Sequence, residues 1–347
     1  MKKFLGIAVL LAIGNIASAA GKIGDVDISG YLDIYGARNL NNPAAVGIST
    51  HVFEGKEGFS FNRAELVLEN PSFRADLGFG LADDVVNATG VTNVTSMMNI
   101  QQLFVKAPVG KSLVVTAGKF VTHMGMEVIE SKDNWLYSRG LLFQYAIPYY
   151  HTGVKAAYAI NDSWNGHLAL VNGWNTVIAP DRNAALCGQL MGTPVKGMSV
   201  YINGITGSHV LAGSQANVID LVAMYDVSSS LSLGANYDNG SVRTGPAAAT
   251  NSYSAWALYA KYLLMSNGTN LVVRYENFSD PSTAIVGLVG ATNVSSITVG
   301  LNDPLDSSST LRTEYRMDLA NAGTPFSSST GAKNTQSSVT IGWVTTF

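Results

Sequence analysis

Arg63 and Glu65, Arg74 and Asp76, and Arg274 and Glu276 place ionised side chains two residues apart, as does the run Arg312, Glu314, Arg316. Lys106 and Lys155 hold equivalent places in their own segments. On an extended chain a spacing of two puts side chains on one face. Charges stacked that way can bias the passage of ions and polar solutes through enclosed water. They can also pair across neighbouring strands and brace a wall. Acidic and basic members are interleaved, so weak ion selectivity is expected of such a face.

Other chemistry has little support. His51, His123, His151, His167 and His209 are scattered, and Cys187 is the single cysteine. No H-E-x-x-H, paired Cys/His spacing or G-x-S-x-G elbow is present. His151 and His167 fall on neighbouring predicted strands and could form two halves of a lipase-like site, but polar wall histidines are the simpler reading. Gly78-Phe79-Gly80 lies inside a predicted strand and lacks the strand-to-helix setting of dinucleotide binding. Asp303 and Asp306 read as a turn. No catalytic residue, metal or cofactor is expected. The formal charge of −3 with no basic stripe gives no sign of a nucleic-acid partner.

The elements that carry these residues have period two. Val26 to Tyr35 alternates apolar or Gly positions with polar ones, and Asn62 to Glu69 sets Ala64, Leu66 and Leu68 against Arg63, Glu65 and Glu69. Leu311, Thr313, Tyr315 and Met317 oppose Arg312, Glu314, Arg316 and Asp318. Sixteen such segments centre near residues 31, 65, 78, 103, 116, 155, 168, 187, 202, 221, 235, 258, 273, 298, 314 and 341, the one near 187 being the faintest. Their connections alternate, short after even segments (Asn70-Pro71-Ser72, Asn161-Asp162) and longer after odd ones (38–57, 83–96, 121–149, 206–216, 239–251, 278–293, 319–334). A β-sandwich has no reason for that rhythm. An antiparallel up-and-down barrel across an outer membrane does, with short turns on one side, long loops on the other and an apolar band facing lipid. The fold expected is therefore all-β, a transmembrane barrel of about 16 strands (14–18) with a long third outer loop.

Charged residues are only 13% of the chain, about half the usual ~25%. Met1-Lys2-Lys3, the apolar stretch Phe4–Ile16 and Ala17-Ser18-Ala19 have the pattern of a cleaved secretory signal peptide over 1–19. Its removal takes the formal charge from −3 to −5 and leaves 20–347 as a single barrel domain. A lone cysteine cannot make an internal disulfide, so hydrogen bonds and packing must hold the exported chain. The chain ends on "VTIGWVTTF", an alternating strand closed by Phe347. A strand that seals the cylinder should end at the membrane interface, where aromatics form a girdle. Phe347 is also expected to serve as a signal to barrel-assembly machinery.

Several stretches resemble the β-barrel porin-2 family, of the OmpL-like type, in Gram-negative outer membranes. They are "AGKFVTHMGMEVIES" (117–131), "NWLYSRGLLFQYAIPYYHTGVK" (134–155), "LALVNGW" (168–174), "VVRYENF" (272–278) and "LRTEYRMD" (311–318), the first two being the most specific. The resemblance runs from about residue 25 to the C-terminus, more weakly over 176–250 and 279–293. It implies a pore-forming outer-membrane barrel and assigns no site residue. The function expected is an outer-membrane porin whose water-filled channel passes small hydrophilic solutes and ions by passive diffusion. The alternatives are a structural or adhesive barrel with an occluded lumen, or a barrel lipase. Partners expected are outer-membrane lipid, the assembly machinery, the solutes and a homotrimer. Within 121–149, His123, Glu127, Glu130, Asp133 and Arg139 accompany Met124, Met126, Trp135, Tyr137, Leu141, Leu142, Phe143 and Tyr145. That is too apolar for a solvated loop, so the segment is expected to enter the lumen and narrow it.

Overall fold

The computed structural model describes residues 21–88, 97–288 and 290–347; the signal-peptide reading of 1–19 lies outside them. A three-residue strand β1 (Gly21–Ile23) folds back on β2 (Val26–Asn39). The chain then runs through β3 (Gly58–Asn70), β4 (Phe73–Phe79), α1 (Leu81–Ala88), β5 (Ile100–Val109), β6 (Leu113–Val121), β7 (Tyr150–Ala159), β8 (Trp164–Val171) and β9 (Ala185–Gly192). It continues through β10 (Met198–Ser208), β11 (Gln215–Asp226), β12 (Leu231–Arg243), β13 (Thr250–Leu263), β14 (Asn270–Ser279), β15 (Asn293–Pro304), β16 (Ser309–Ala320) and β17 (Thr335–Thr346). Strands β2 to β17 are antiparallel, each bonded to its chain neighbours, and β17 pairs with β2 from Ser338↔Asn39 to Thr346↔Tyr31. Sixteen strands therefore form a closed ring, and each of the sixteen expected centres falls within one of them.

Closure satisfies the backbone. In hydrocarbon an unpaired sheet edge costs several kcal/mol per polar group, and a ring has no edge. At the seam Phe347 N–H donates to Gly30 O and Gly30 N–H donates to Phe347 O, both at 3.0 Å. Outward side chains form the apolar band: Leu32, Ile34, Val105, Leu168, Ile202, Ile219, Leu258, Leu301 and Ile341 are exposed. Tyr158, Tyr225, Tyr262 and Phe347 stand exposed at the short-turn ends of their strands, the position of an interfacial girdle. Among the described residues no helix is long and apolar enough to cross a bilayer; the strands do the crossing.

Two of the long connections are shorter than the periodicity implies. Strands β10 and β12 extend to Ser208 and Arg243, so their loops shrink to 209–214 and 244–249. The extensions Thr206–Ser208 and Asn239–Arg243 are polar or Gly-rich and read as loop, yet they pair fully with the next strand. Two register shifts each add a residue to the inner face. One lies opposite Asp33/Ile34, where Asn62 and Arg63 are both buried; the other lies opposite Asp76/Leu77, where Gln101 and Gln102 are both buried.

Candidate functional site

The segment between β6 and β7, residues 122–149, contains a 3₁₀ turn (Ser131–Asp133) and a π-helical turn (Leu142–Ala146). It lies inside the ring. Met124, Met126, Ile129, Trp135, Leu136, Leu141, Leu142, Phe143 and Ile147 are buried in one cluster with inward residues of β8 to β15, among them Val171, Ile205, Val218, Val222, Ala255, Ala257 and Val272. The inner wall there is small or apolar where the loop packs. Glycines complete the fit. A Cβ on Gly300 would lie 2.6 Å from Leu136 Cδ2, and one on Gly234 would lie 2.6 Å from Met126 Cε. Gly342 offers the same room to the ring of Tyr137. Gly300→Val should therefore force the loop from its seat and cost about 1–3 kcal/mol. The midpoint of heat-induced loss of the folded gel band should drop; an unchanged midpoint would show that Leu136 does not bear on β15.

An irregular loop inside a barrel has backbone groups that neither a helix nor water satisfies, at about 1–3 kcal/mol for each one left unpaired. Wall side chains take that role. Gly125 N–H donates to Asp220 Oδ2 (2.8 Å), Met126 N–H to Asn236 Oδ1 (3.0 Å) and Leu141 N–H to Glu276 Oε2 (2.6 Å). Glu314 accepts from Tyr137 N–H and, at 3.1 Å, from Ser138 N–H. Arg312 closes the 3₁₀ turn, Nη1 donating to Ser131 O (2.6 Å) and Asn134 O (3.0 Å) and Nη2 to Lys132 O (3.1 Å). Asn302 donates to Trp135 O (2.8 Å) and Arg316 to Arg139 O (3.0 Å). On β2, Asp33 accepts Tyr137 Oη at 2.6 Å, Ser131 Oγ at 2.6 Å and Asn62 Nδ2 at 2.7 Å.

Arg274 is the centre of this lattice. Its Nη1 lies 2.6 Å from Glu127 Oε1 and donates to Ser138 O at 2.8 Å, while Nε reaches Glu276 Oε1 at 3.0 Å and Nη2 reaches Thr298 Oγ1 at 3.2 Å. Arg139 pairs with Glu54, donates to Ile129 O, and lies over the Phe53 ring at 4.9 Å. Arg63 joins Glu65 (2.9 Å) and Asp83 of α1 (3.2 Å), with Glu130 at 3.9 Å. Asp133 is half-exposed and bonds Lys132 at 2.5 Å. His123 Nε2 lies 3.3 Å from Gly204 O.

The eleven charged side chains expected to line the lumen all sit on the inner face of their strands, in two groups. Arg63, Glu65, Arg274, Glu276, Arg312, Glu314 and Arg316 are buried against the loop or α1. On β4, β5 and β7, Arg74 meets Asp76 (2.8 Å) and Glu69 of β3 (3.3 Å), Lys106 meets Glu69 (2.8 Å), and Lys155 stands over the Phe120 ring at 4.8 Å. Glu69 and Arg74 keep 38% and 32% of their side-chain surface exposed.

Sequence reasoning missed Asp33, Asp220 and Asn236 as partners of the loop. It also missed the first loop. Residues 48–54 turn inward: Val52 N–H donates to Gln144, Thr50 Oγ1 donates to Asp318 Oδ2 at 2.5 Å, and His51 Nε2 lies 3.3 Å from Ser338 Oγ. The apolar Ile48, Val52 and Phe53 beside Glu54 were the available signal. Burial, reinforced by Arg316, pushes the His51 imidazole down to about 3, from an ordinary 6.5. Its contribution is complete above 6.5 and lost as pH falls from 6.5 toward 3. Glu54 works in the opposite sense. Burial lifts its carboxyl to about 7 against the pull of Arg139, so its contribution is present below 4.5 and fades as pH rises toward 7. A His51→Gln chain should lose much of the drop in melting midpoint on acidification from pH 6.5. Parallel pH curves for the two chains would contradict this.

A closed ring with an apolar exterior, an ionised interior and a loop folded inside defines an outer-membrane channel of the porin class. The family model described as "Putative beta-barrel porin-2, OmpL-like" matches residues 25–347, and the chain belongs to that family. Its fold is similar to the anion-selective porin from Comamonas acidovorans (TM-score 0.62, 12% identity, covering 93% of this chain and 99% of that one). It is also similar to OmpTdeltaL8, a loop L8 deletion mutant of OmpT, an outer membrane protein of Vibrio cholerae (TM-score 0.61, 14%, 93% and 99%). Salmonella typhi OmpF in complex with daunomycin is a third such structure (TM-score 0.61, 12%, 93% and 97%). No curated protein matches the chain in sequence. The protein is a bacterial outer-membrane porin that passes small solutes.

Proposed function

We propose that the conducting path runs between the inserted loop and the inner wall of β3 to β7, and that residues 122–149 set its size limit. The observation that carries this reading is the asymmetry of the lumen. The loop is fastened to β9 through β16 and to Asp33 of β2, while on the arc from β3 to β7 the inner-face charges Glu69, Arg74, Lys106 and Lys155 keep solvent exposure. In this role Arg63, Glu65, Arg274, Glu276, Arg312, Glu314 and Arg316 position the loop. Glu69, Arg74, Lys106 and Lys155 face solute, with Asp76 holding Arg74 in place, and their mixed signs give weak ion selectivity. Transport is passive and no catalytic step is assigned. Export follows cleavage of residues 1–19, Phe347 is read by the assembly machinery, and the barrel works in lipid as a homotrimer.

Liposome swelling with neutral sugars of rising size tests this: uptake should fall steeply with size, and a salt gradient should give a reversal potential near zero. A second reading, an occluded structural or adhesive barrel, draws on the burial of Arg63, Asp76 and Thr116 along the β3 to β6 wall itself. It requires no uptake of any sugar.

A further inference from the structure

Away from the Arg274 lattice, four potential metal donors meet at the root of the inserted loop. His123 opens the loop, His151 is on β7, His167 on β8 and Cys187 on β9. One donor atom from each of His123, His151 and Cys187 lies within 4.8 Å of the other two. The His167 ring stands edge-on to His123, centroids 4.9 Å apart. His151 is fully buried, and its Nδ1 is 3.1 Å from Gly173 O, which fixes the proton there and leaves the lone pair on Nε2. That Nε2 has no hydrogen-bond partner among the described residues. A buried nitrogen lone pair without a partner is costly unless something accepts it. Cys187 is buried and has no second cysteine to bond.

We propose that His123, His151 and Cys187 bind a thiophilic first-row divalent metal ion, for which Zn²⁺ is the probe. Two imidazoles and a thiolate are the mixed nitrogen–sulfur set that zinc and copper prefer, with the fourth position open to water or His167. Tetrahedral zinc would hold donors about 3.5 Å apart, so the side chains must close by roughly 1 Å, within rotamer adjustment. The Cys187 S–H proton leaves to solvent as the metal–sulfur bond forms. The nearby Lys155 ammonium on β7 disfavours a cation held only by neutral ligands; the thiolate supplies the offsetting charge. Partial exposure of His123 gives entry from the lumen. A bound ion joins β7, β9 and the start of the loop.

The test uses the untagged, refolded full chain in detergent, dialysed against Zn²⁺ and separately Co²⁺. One Zn²⁺ per chain is expected, with affinity at least tenfold weaker in Cys187→Ser and His151→Ala and unchanged in His209→Ala. The Co²⁺ form should show a thiolate-to-metal charge-transfer band, read on the wild-type chain so that no variant need fold. Absence of that band, or zinc binding equal in all chains, overturns the proposal. A channel that conducts and binds no zinc sinks this site alone and leaves the porin reading standing.

Discussion

Arg274→Ala should give a less stable barrel with a larger, noisier current. The substitution leaves Glu127 and Glu276 buried beside each other without their shared counter-ion, and Ser138 O without its donor. Breaking a buried ionic cluster by removing one partner costs roughly 3–5 kcal/mol, far more than any exposed pair. Part of that cost is relieved if residues 127–141 lift away and water enters, which is the source of the extra conductance. Arg274→Lys restores the charge but not the planar fork that reaches four acceptors, so it should recover the melting midpoint only in part. Wild-type stability and a wild-type current in Arg274→Ala would show that the lattice does not hold the loop.

Removing the loop should have the largest effect on transport. Val121 pairs with Tyr150, and Thr122 N–H donates to Tyr149 O at 2.9 Å, so the strand ends already stand at hairpin distance. Replacing 123–148 with an Asn-Gly turn closes β6 to β7 without strain on the ring. The wall charges then meet water and stay solvated rather than orphaned. Sugars that the intact protein excludes should enter liposomes severalfold faster. An unchanged exclusion limit would mean that the loop does not bound the path.

The ring was legible because lipid on one side and ionised groups on the other force strict alternation, as in Asn62–Glu69 and Leu311–Asp318. The signal faded where the loop covers the wall. On β11 the inward Ala216, Val218, Val222 and Met224 are as apolar as the outward Ile219 and Leu221, because they bury Met and aromatic side chains rather than water. The same cause weakened β9, where inward Ala185, Cys187 and Met191 face outward Leu186 and Leu190. The apolar content of 121–149 pointed to packing, and its partners Glu276, Arg312 and Glu314 were already on the charged ladder. Which charge meets which loop amide depends on contacts between 95 and 177 residues apart, and no local pattern encodes them. The inward turn of 48–54 was hidden for the same reason, since Asp318, Ser338 and Gln144 supply its partners.

Single-channel recording of the purified, untagged protein in a planar bilayer reads conduction itself. Discrete, ohmic current steps are expected from the wild-type chain, and they should shrink when a sugar small enough to enter is added. A folded, inserted protein that leaves the membrane silent would contradict the porin reading.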